Sequence, residues 1–247
     1  MKPVKFVFSI CVVVCIYFTT MTNSNAAWSD IFKIFSGVTG QATSSELTNS
    51  EIVNGLKEAL SKGTKSAINS LGRPDGFFQN PGVKIPMPES LEKVEKTLRK
   101  FKQDKTADEF ILSMNRAAEQ AVPEAASIFS NAIRSMSFED AKGILQGPDD
   151  AATQYFRRSS KNRLTEKMLP IVRKSTNAVG ATAKYKKMVE KLGPVSGLVD
   201  TKLLDIDQYV TDKALDGLFK MLAEEEKLIR NDPAARTTAI LKKVFGT

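Results

Sequence analysis

Histidine is absent from this chain of 247 residues, and cysteine occurs only twice, as Cys11 and Cys15. Without histidine the chain cannot build a Ser-His or Cys-His triad, and it lacks the side chain that most often serves as a general base near neutral pH. The usual zinc sites also need histidine or cysteine. Any chemistry must therefore come from carboxylates or from Lys, Arg, Tyr, Ser or Thr.

The N-terminal residues 1–27 have the features of a cleavable secretory signal peptide. Lys2 and Lys5 form a basic start, residues 6–18 are almost wholly apolar, and residues 24–27 offer small side chains for cleavage. The apolar run is short for a membrane span. We therefore expect a periplasmic or secreted protein.

Both cysteines lie inside this signal, so the mature chain is expected to be free of cysteine and to form no disulfide. Cys15 leaves a lipoprotein anchor open as a minor alternative. A lipidation site needs a small residue before its cysteine, however, and Val14 stands there. A cleaved soluble protein is the preferred interpretation.

Positive charge is concentrated in one part of the chain. Removing Lys2 and Lys5 leaves 34 basic and 28 acidic residues, a net charge of +6. Residues 157–191 hold eleven Lys or Arg, with only Glu166 and Glu190 against them. This block is an ordinary solvated surface or a contact surface for anionic lipid. Few aromatic residues interleave it, so we expect no nucleic acid partner.

Apolar residues recur at helical spacing through residues 47–247. The pattern predicts an all-α fold, a single-domain bundle of about eight to ten helices. At most one short two-stranded β-ribbon is expected, in which residues 83–85 would pair with residues 203–207. Residues 28–46 are expected to form a flexible N-terminal segment.

Individual helix boundaries are also marked. Thr48 and Glu51 form a capping box at the start of the first helix. Pro170 is expected to interrupt a helix near the middle of the basic block. Val210 to Ile229 carry a long amphipathic pattern, and Asp232 is expected to cap a last helix.

A segment without helical pattern covers residues 72–88 and contains several prolines and glycines. Seventeen residues is long for a connection in a compact domain, so the segment is either functional or an extended strap over the core. If it is functional, Asp75, Phe77 and Phe78 are the candidate ligand-contacting residues.

The densest polar cluster is the stretch from Gly147 to Arg157. Gly147 is predicted to cap a helix, Pro148 to be its first residue, and Asp149 and Asp150 to lie in its first turn. Helix initiation explains these four residues. Three polar side chains of the stretch remain unexplained, and with Asp150 they form a candidate polar junction: Gln154, Tyr155 and Arg157.

Glu225 is predicted to face the core, because the apolar stripe of the long C-terminal helix continues onto it. A carboxylate there needs a partner, and Arg116 or Arg236 could provide one. The interpretation preferred is a structural ion pair. The functional alternative is a polar pocket built from several of these residues: Arg116, Glu119, Asp149, Asp150, Tyr155 and Glu225.

With these motifs the chain resembles the bacterial family catalogued as domain of unknown function 4197, over nearly the whole mature sequence. The resemblance rests on five segments: Gly72 to Phe77, Val83 to Glu89, Asn115 to Ala125, Gly147 to Arg157, and Lys213 to Phe219 with Ala234 to Thr238. It implies an exported helical protein of Gram-negative bacteria. No activity, cofactor or catalytic residue comes with it.

The leading hypothesis is a non-catalytic binding or interaction module of the cell envelope, with an envelope protein or anionic lipid as partner. No cofactor or metal is expected, and the oligomeric state is left open. The alternative is a carboxylate-based hydrolase acting on an envelope polymer, which would need two acids at a cleft. If every acid proves to be paired with arginine, the binding module is favoured over the hydrolase.

Overall fold

The computed structural model describes residues 48–178, 180–190 and 205–231, and within them the fold is all-α, as predicted. Two short 3-10 helices, Glu89–Leu91 and Val122–Glu124, accompany the α-helices. The α-helices are α1 (Asn49–Leu71), α2 (Glu92–Lys100), α3 (Asp104–Ala121), α4 (Ala125–Ser135), α5 (Phe138–Leu145), α6 (Ala151–Ala178), α7 (Ala181–Glu190) and α8 (Ile206–Asn231).

The predicted β-ribbon is not confirmed, since the described ranges contain no strand. Val83 ends a turn instead, residues 84–85 have no regular structure, and the backbone of Ile85 bonds to the side chain of Asn115. Two of the five residues of the proposed partner, residues 203–204, lie outside the described residues, and Ile206 and Asp207 belong to helix α8. Residues 28–46 and the helix expected after Asp232 also lie outside the described residues. The helix count of the whole chain therefore stays a prediction.

Capping boxes fix the starts of two helices. At α1, the Thr48 hydroxyl accepts from Glu51 N at 3.2 Å, and Glu51 Oε2 accepts from Thr48 N at 2.8 Å. Ser137 and Asp140 repeat the arrangement at α5. Each box satisfies backbone donors that a helix start leaves unpaired, so these starts are set locally.

Helix α8 lies at the centre of the packing, against α6 and α1, while α3 packs against α6 and α7. Three buried phenylalanines join α4, α6 and α8: the Phe129 ring lies 5.2 Å from that of Phe156 and 6.2 Å from that of Phe219, both edge-on. Edge-on packing is the favoured geometry for aromatic pairs. None of the helices in the described ranges is long and apolar enough to cross a membrane.

Pro170 does not interrupt its helix, so that prediction is wrong. Helix α6 runs continuously from Ala151 to Ala178 with Pro170 inside it. Pro170 has no N–H to donate to the carbonyl of Glu166, one turn earlier in the helix. Both residues are exposed. Water can satisfy a carbonyl in that position, which lowers the cost of the missing hydrogen bond.

Candidate functional site

Residues 73–88, called the strap below, cross the helices between α1 and the 3-10 helix at Glu89. Phe77, Val83, Ile85 and Met87 are buried and anchor the strap in the core. Gly217 on α8 makes room for it, since a Cβ there would lie 2.8 Å from the Phe77 ring. The strap is thus a packed part of the domain, as one of the two interpretations of this segment expected.

Asn115 on α3 holds the middle of the strap. Its Oδ1 accepts from Ile85 N at 2.9 Å, and its Nδ2 donates to Ile85 O at 2.9 Å and to Ile111 O at 2.8 Å. The side chain is fully buried. One amide therefore satisfies both backbone groups of Ile85, which would otherwise be buried without partners.

Glu119 and Arg116, one turn apart on α3, hold the first part of the strap. Glu119 Oε1 accepts from Phe77 N and Phe78 N, each at 3.1 Å. Arg116 donates to Glu119 Oε2 and to Asp75 Oδ1, each at 2.6 Å. Hydrogen bonding to Glu119 and, further, to Asp75 raises the pKa of the Arg116 guanidinium. The sequence predicted all five residues as candidate ligand-binding residues, and the structure joins them in one cluster.

An open groove of about 220 Å³ lies between the strap and α8. Its walls come from strap residues 82–86 and from Lys213, Asp216, Gly217 and Lys220 of α8. Two of the segments on which the family resemblance rests meet here. Among the described residues, three lysines line the groove, because Lys84 of the strap adds to the two on α8, and Asp216 is the one carboxylate in the lining.

Each groove lysine has a contact that positions it. Lys220 Nζ donates to Gly82 O at 2.9 Å. Lys84 Nζ lies 4.3 Å from the centre of the Phe78 ring, and Lys213 Nζ lies 5.8 Å from that of Tyr209. Both distances fall within the range of cation–π attraction.

Tyr209 is itself fixed, since its hydroxyl donates to Pro86 O at 3.1 Å. Burial, together with the negative charge of Glu89, raises the pKa of Tyr209 to about 12. The phenol therefore stays protonated at neutral pH and keeps this hydrogen bond. The groove rim is a connected set of contacts between the strap and α8.

A second buried network joins α8 to the start of α6. Glu226 accepts from Ala152 N, Thr153 N and Thr153 Oγ1, each at 2.9 Å. Arg230 donates to Glu226 Oε1 through Nε at 3.1 Å and Nη2 at 2.8 Å, and it also donates to Ile144 O at 2.9 Å. The carboxylate thus satisfies two amides at the positive end of the α6 dipole.

Glu226, not Glu225, is the core-facing acid of α8, so that prediction is wrong by one position. Glu225 is half-buried and accepts from Ser66 Oγ at 2.7 Å. The buried stripe steps by four from Leu222 to Glu226 and then reaches Ile229. Arg116, one suggested partner of Glu225, pairs with Glu119 and Asp75 instead. The other suggested partner, Arg236, lies outside the described residues.

The stretch from Gly147 to Arg157 starts a helix, but three residues later than predicted. Helix α6 begins at Ala151, and Asp149 and Asp150 form the turn before it. Glu226 accepts from the amides of residues 152 and 153, so the local acids are not needed there.

The polar side chains of this stretch face different surroundings. Asp150 Oδ1 accepts from Gln154 Nε2 at 2.9 Å. The Tyr155 hydroxyl donates to Ala132 O at 3.4 Å, and burial, aided by the charge of Asp140, raises its pKa. These residues do not form one junction.

Arg157 lies 3.6 Å from Asp216 and stacks at 4.5 Å over the Phe219 ring. It therefore belongs to the edge of the groove and does not contact Asp150 or Tyr155. The predicted polar pocket is likewise not assembled: among the described residues, no hydrogen bond or ion pair links Arg116 or Glu119 to Asp149, Asp150, Tyr155 or Glu225.

The two carboxylates that are buried in the described part of the chain are closed to a substrate. Glu119 and Glu226 use both oxygens on amide, hydroxyl or guanidinium donors. The cavities beside Glu226 hold only about 20 Å³ each, enough for one water at most. Within the described ranges every buried side-chain N or O has a partner, and no group of three acids could hold a metal ion. A general acid or base needs an open position that neither carboxylate has.

Several residues of the groove and the buried networks were not predicted from the sequence. Lys213 and Lys220 stand seven apart, which indicates a shared helix face, but only the folded strap brings Lys84 to them. No sequence pattern distinguishes Asn115 from the other polar residues of α3, because its partner, the backbone of Ile85, is 30 residues away. Glu226 could have been found by extending the stripe from Leu222 in steps of four.

A protein-family model described as "Protein of unknown function (DUF4197)" matches residues 46–246. The match includes the strap, the groove and both buried networks. No curated protein and no solved structure matches the chain.

Proposed function

The chain belongs to the DUF4197 family, and from its geometry we propose that it is a non-catalytic binding module of the bacterial cell envelope, exported by its N-terminal signal. We further propose that it binds through the groove between the strap and α8. One observation carries the proposal: the buried acids are consumed by structural contacts, while the open groove is left with positioned cationic side chains.

Closed acid networks support binding over hydrolysis. A glycosidase of the usual kind needs two carboxylates facing one cleft, and the groove lining contributes only Asp216. Glu119 and Glu226, in contrast, hold the strap and the start of α6. We expect purified protein to release no soluble product from peptidoglycan. Product release that disappears in Glu119→Gln would contradict a non-catalytic role.

Rigidity of the groove supports a binding role. The strap is tied to α3 by the bonds of Asn115 and Glu119 and packed against Gly217. A wall that is already ordered loses little conformational entropy when a ligand binds, which favours affinity. The groove is smaller than the pockets that enclose drug-sized ligands, so we expect a small ligand or a short part of a larger one.

A photo-crosslinking residue placed at Asp216 tests binding at the groove in growing cells. Asp216 is exposed and lines the groove, whereas Lys96 is exposed on α2, outside it, and provides the control position. We expect adducts of discrete mass from position 216 and none from position 96. Adding Gly82→Phe, which places a ring in the groove, should abolish the adducts. Equal adduct formation at both positions would count against the groove.

A second candidate function is binding to anionic lipid through the exposed cations of α6 and α7, called the basic surface below. Ion pairs at this surface are few: Arg157 pairs with Asp216 and Arg173 with Asp207. The other members make no ion pair within the described ranges: Arg158, Lys161, Arg163, Lys167, Lys174, Lys186 and Lys187. Such a surface attracts anionic membranes by about 1 kcal/mol per cation.

Vesicle sedimentation tests this second candidate. Phosphatidylglycerol vesicles should retain the protein at low salt and release it as salt rises, because screening weakens surface attraction. Replacing Lys161, Lys167 and Lys174 with Gln should lower the affinity by about 3 kcal/mol. Binding that ignores both salt and these substitutions would remove the lipid hypothesis.

A further inference from the structure

The strap–α8 groove carries an uncompensated positive charge. Lys84, Lys213 and Lys220 line it against one carboxylate, Asp216. The side chain of Asp216 is 61% exposed, and its Oδ1 lies 3.6 Å from Arg157. A cation outside the lining thus partly neutralises the only acid, and the groove keeps an excess of about two positive charges.

These lysines differ from ordinary surface lysines in being held in place. Lys220 donates to Gly82 O, and Lys84 and Lys213 lie over aromatic rings. An ammonium group has three N–H donors, so the bond of Lys220 to Gly82 leaves two donors for a ligand. Lysines that are already positioned lose less side-chain entropy on binding.

The groove backbone, in contrast, offers little to a ligand. Val83 N and Lys84 N both donate to Asn80 O, and Gly82 N donates to Asn80 Oδ1. Ile85 N donates to Asn115. With these amides occupied, recognition falls to the three ammonium groups, which are donors only. The matching ligand presents several acceptor oxygens and negative charge in a small volume.

We propose that this groove binds a compact anion carrying at least two negative charges, held by Lys84, Lys213 and Lys220. This inference rests on the groove being the binding site proposed above and adds the chemical class of its ligand. Phosphate monoesters and small dicarboxylates share this chemistry.

Isothermal titration of the purified protein with inorganic pyrophosphate and with succinate tests the proposal, and the two arms distinguish phosphate from carboxylate ligands. Acetate, with one charge, is the reference. We expect one of the two probes to bind at least tenfold more tightly than acetate at physiological salt. If neither does, the proposal is overturned.

A charge-matched pair of triple variants locates the effect. In the first, Lys84, Lys213 and Lys220 are replaced by Gln, and we expect affinity to fall by about tenfold per lysine. In the second, the same change is made at Lys161, Lys167 and Lys174, which make no positioning contact within the described residues. We expect this control to bind within twofold of the unaltered protein. Equal losses would show general electrostatic attraction and overturn the proposal.

Asp216→Asn is a substitution that is expected to strengthen binding at the groove. Removing the one carboxylate of the lining should tighten binding of the successful probe, by a few-fold at an exposed position. Unchanged or weaker binding would contradict a role for the groove charge.

The outcomes separate this inference from the proposed function. Crosslinks at the groove without dianion binding would leave the binding module standing and overturn the ligand class. Dianion binding in solution without crosslinks in cells would support the ligand class and contradict the proposed use of the groove. Failure of both experiments would overturn both proposals.

Discussion

Replacing Glu226 with Gln should cost the protein a large part of its stability. Glu226 is 7% exposed and accepts five hydrogen bonds, three from the start of α6 and two from Arg230. The substitution keeps the size of the side chain but turns one acceptor into a donor facing N–H groups. It also leaves the buried Arg230 guanidinium without its counter-charge. Breaking one partner of a buried pair costs about 3–5 kcal/mol.

Urea unfolding followed by circular dichroism measures this loss as a change in the free energy of unfolding. Glu225→Gln is the matched control, because it makes the same chemical change one position earlier. Glu225 is half-buried and has a single bond to Ser66, so we expect a loss below about 1 kcal/mol. A domain of this kind has about 5–15 kcal/mol in total, and the two variants should be easily distinguished.

Arg230→Met completes a double-mutant cycle. Alone it should also destabilise, since it leaves the buried Glu226 without its counter-charge, held only by the two amides and the Thr153 hydroxyl. The double variant Arg230→Met with Glu226→Leu should lose less than the sum of the losses of Arg230→Met and Glu226→Leu measured singly, because no unpaired buried charge remains. A cost below about 1 kcal/mol for Glu226→Gln, or equal costs for Glu226→Gln and Glu225→Gln, would refute the reasoning.

Two further predictions concern the strap. Gly217→Ala should destabilise the protein, since its Cβ would lie 2.8 Å from the Phe77 ring. The control is Gly143→Ala on α5, whose Cβ meets nothing within 4 Å and which should stabilise the protein by about 0.5–1 kcal/mol. Thermal unfolding measures both variants, and equal shifts of the melting temperature would contradict the close packing of Gly217 against Phe77. The pKa of Tyr209 is raised in the folded state. The stability that this residue contributes is therefore complete below pH 10, the usual pKa of tyrosine, and is lost as the pH rises to about 12. Urea unfolding across that window should show a steeper loss of stability with pH for the unaltered protein than for Tyr209→Phe, and identical slopes would contradict a raised pKa at Tyr209.

Local signals in the sequence predicted local structure well. The capping box of Thr48 and Glu51 depends on residues three apart, so nothing distant can alter it. The all-α class follows from spacing repeated along the chain. Pro170 shows the limit of such rules, because the cost of proline in a helix depends on whether water reaches the carbonyl that it leaves unpaired.

Contacts between residues far apart in the chain could not be predicted from the sequence. Extending the apolar stripe from Leu222 in steps of four selects Glu226 over Glu225, but the spacing does not show that its partners are Ala152 and Thr153 at the start of α6. The sequence suggests Arg116 as a partner of Glu225, but Arg116 pairs with Glu119 and with Asp75, which lies 41 residues away in a segment that has no periodic pattern. The groove needs the strap and α8 together, so neither segment alone predicted it.

The bond between Glu226 and the start of α6 spans 74 residues of sequence, and this separation affects the order in which the protein can fold. The ribosome synthesises the start of α6 before it reaches Glu226, so the amides at the start of α6 have no carboxylate partner until α8 has been made. Closing a loop of this length costs about 4 kcal/mol of chain entropy. We therefore expect docking of α8 to be a late step, and we expect proteases to digest chain fragments that end before α8.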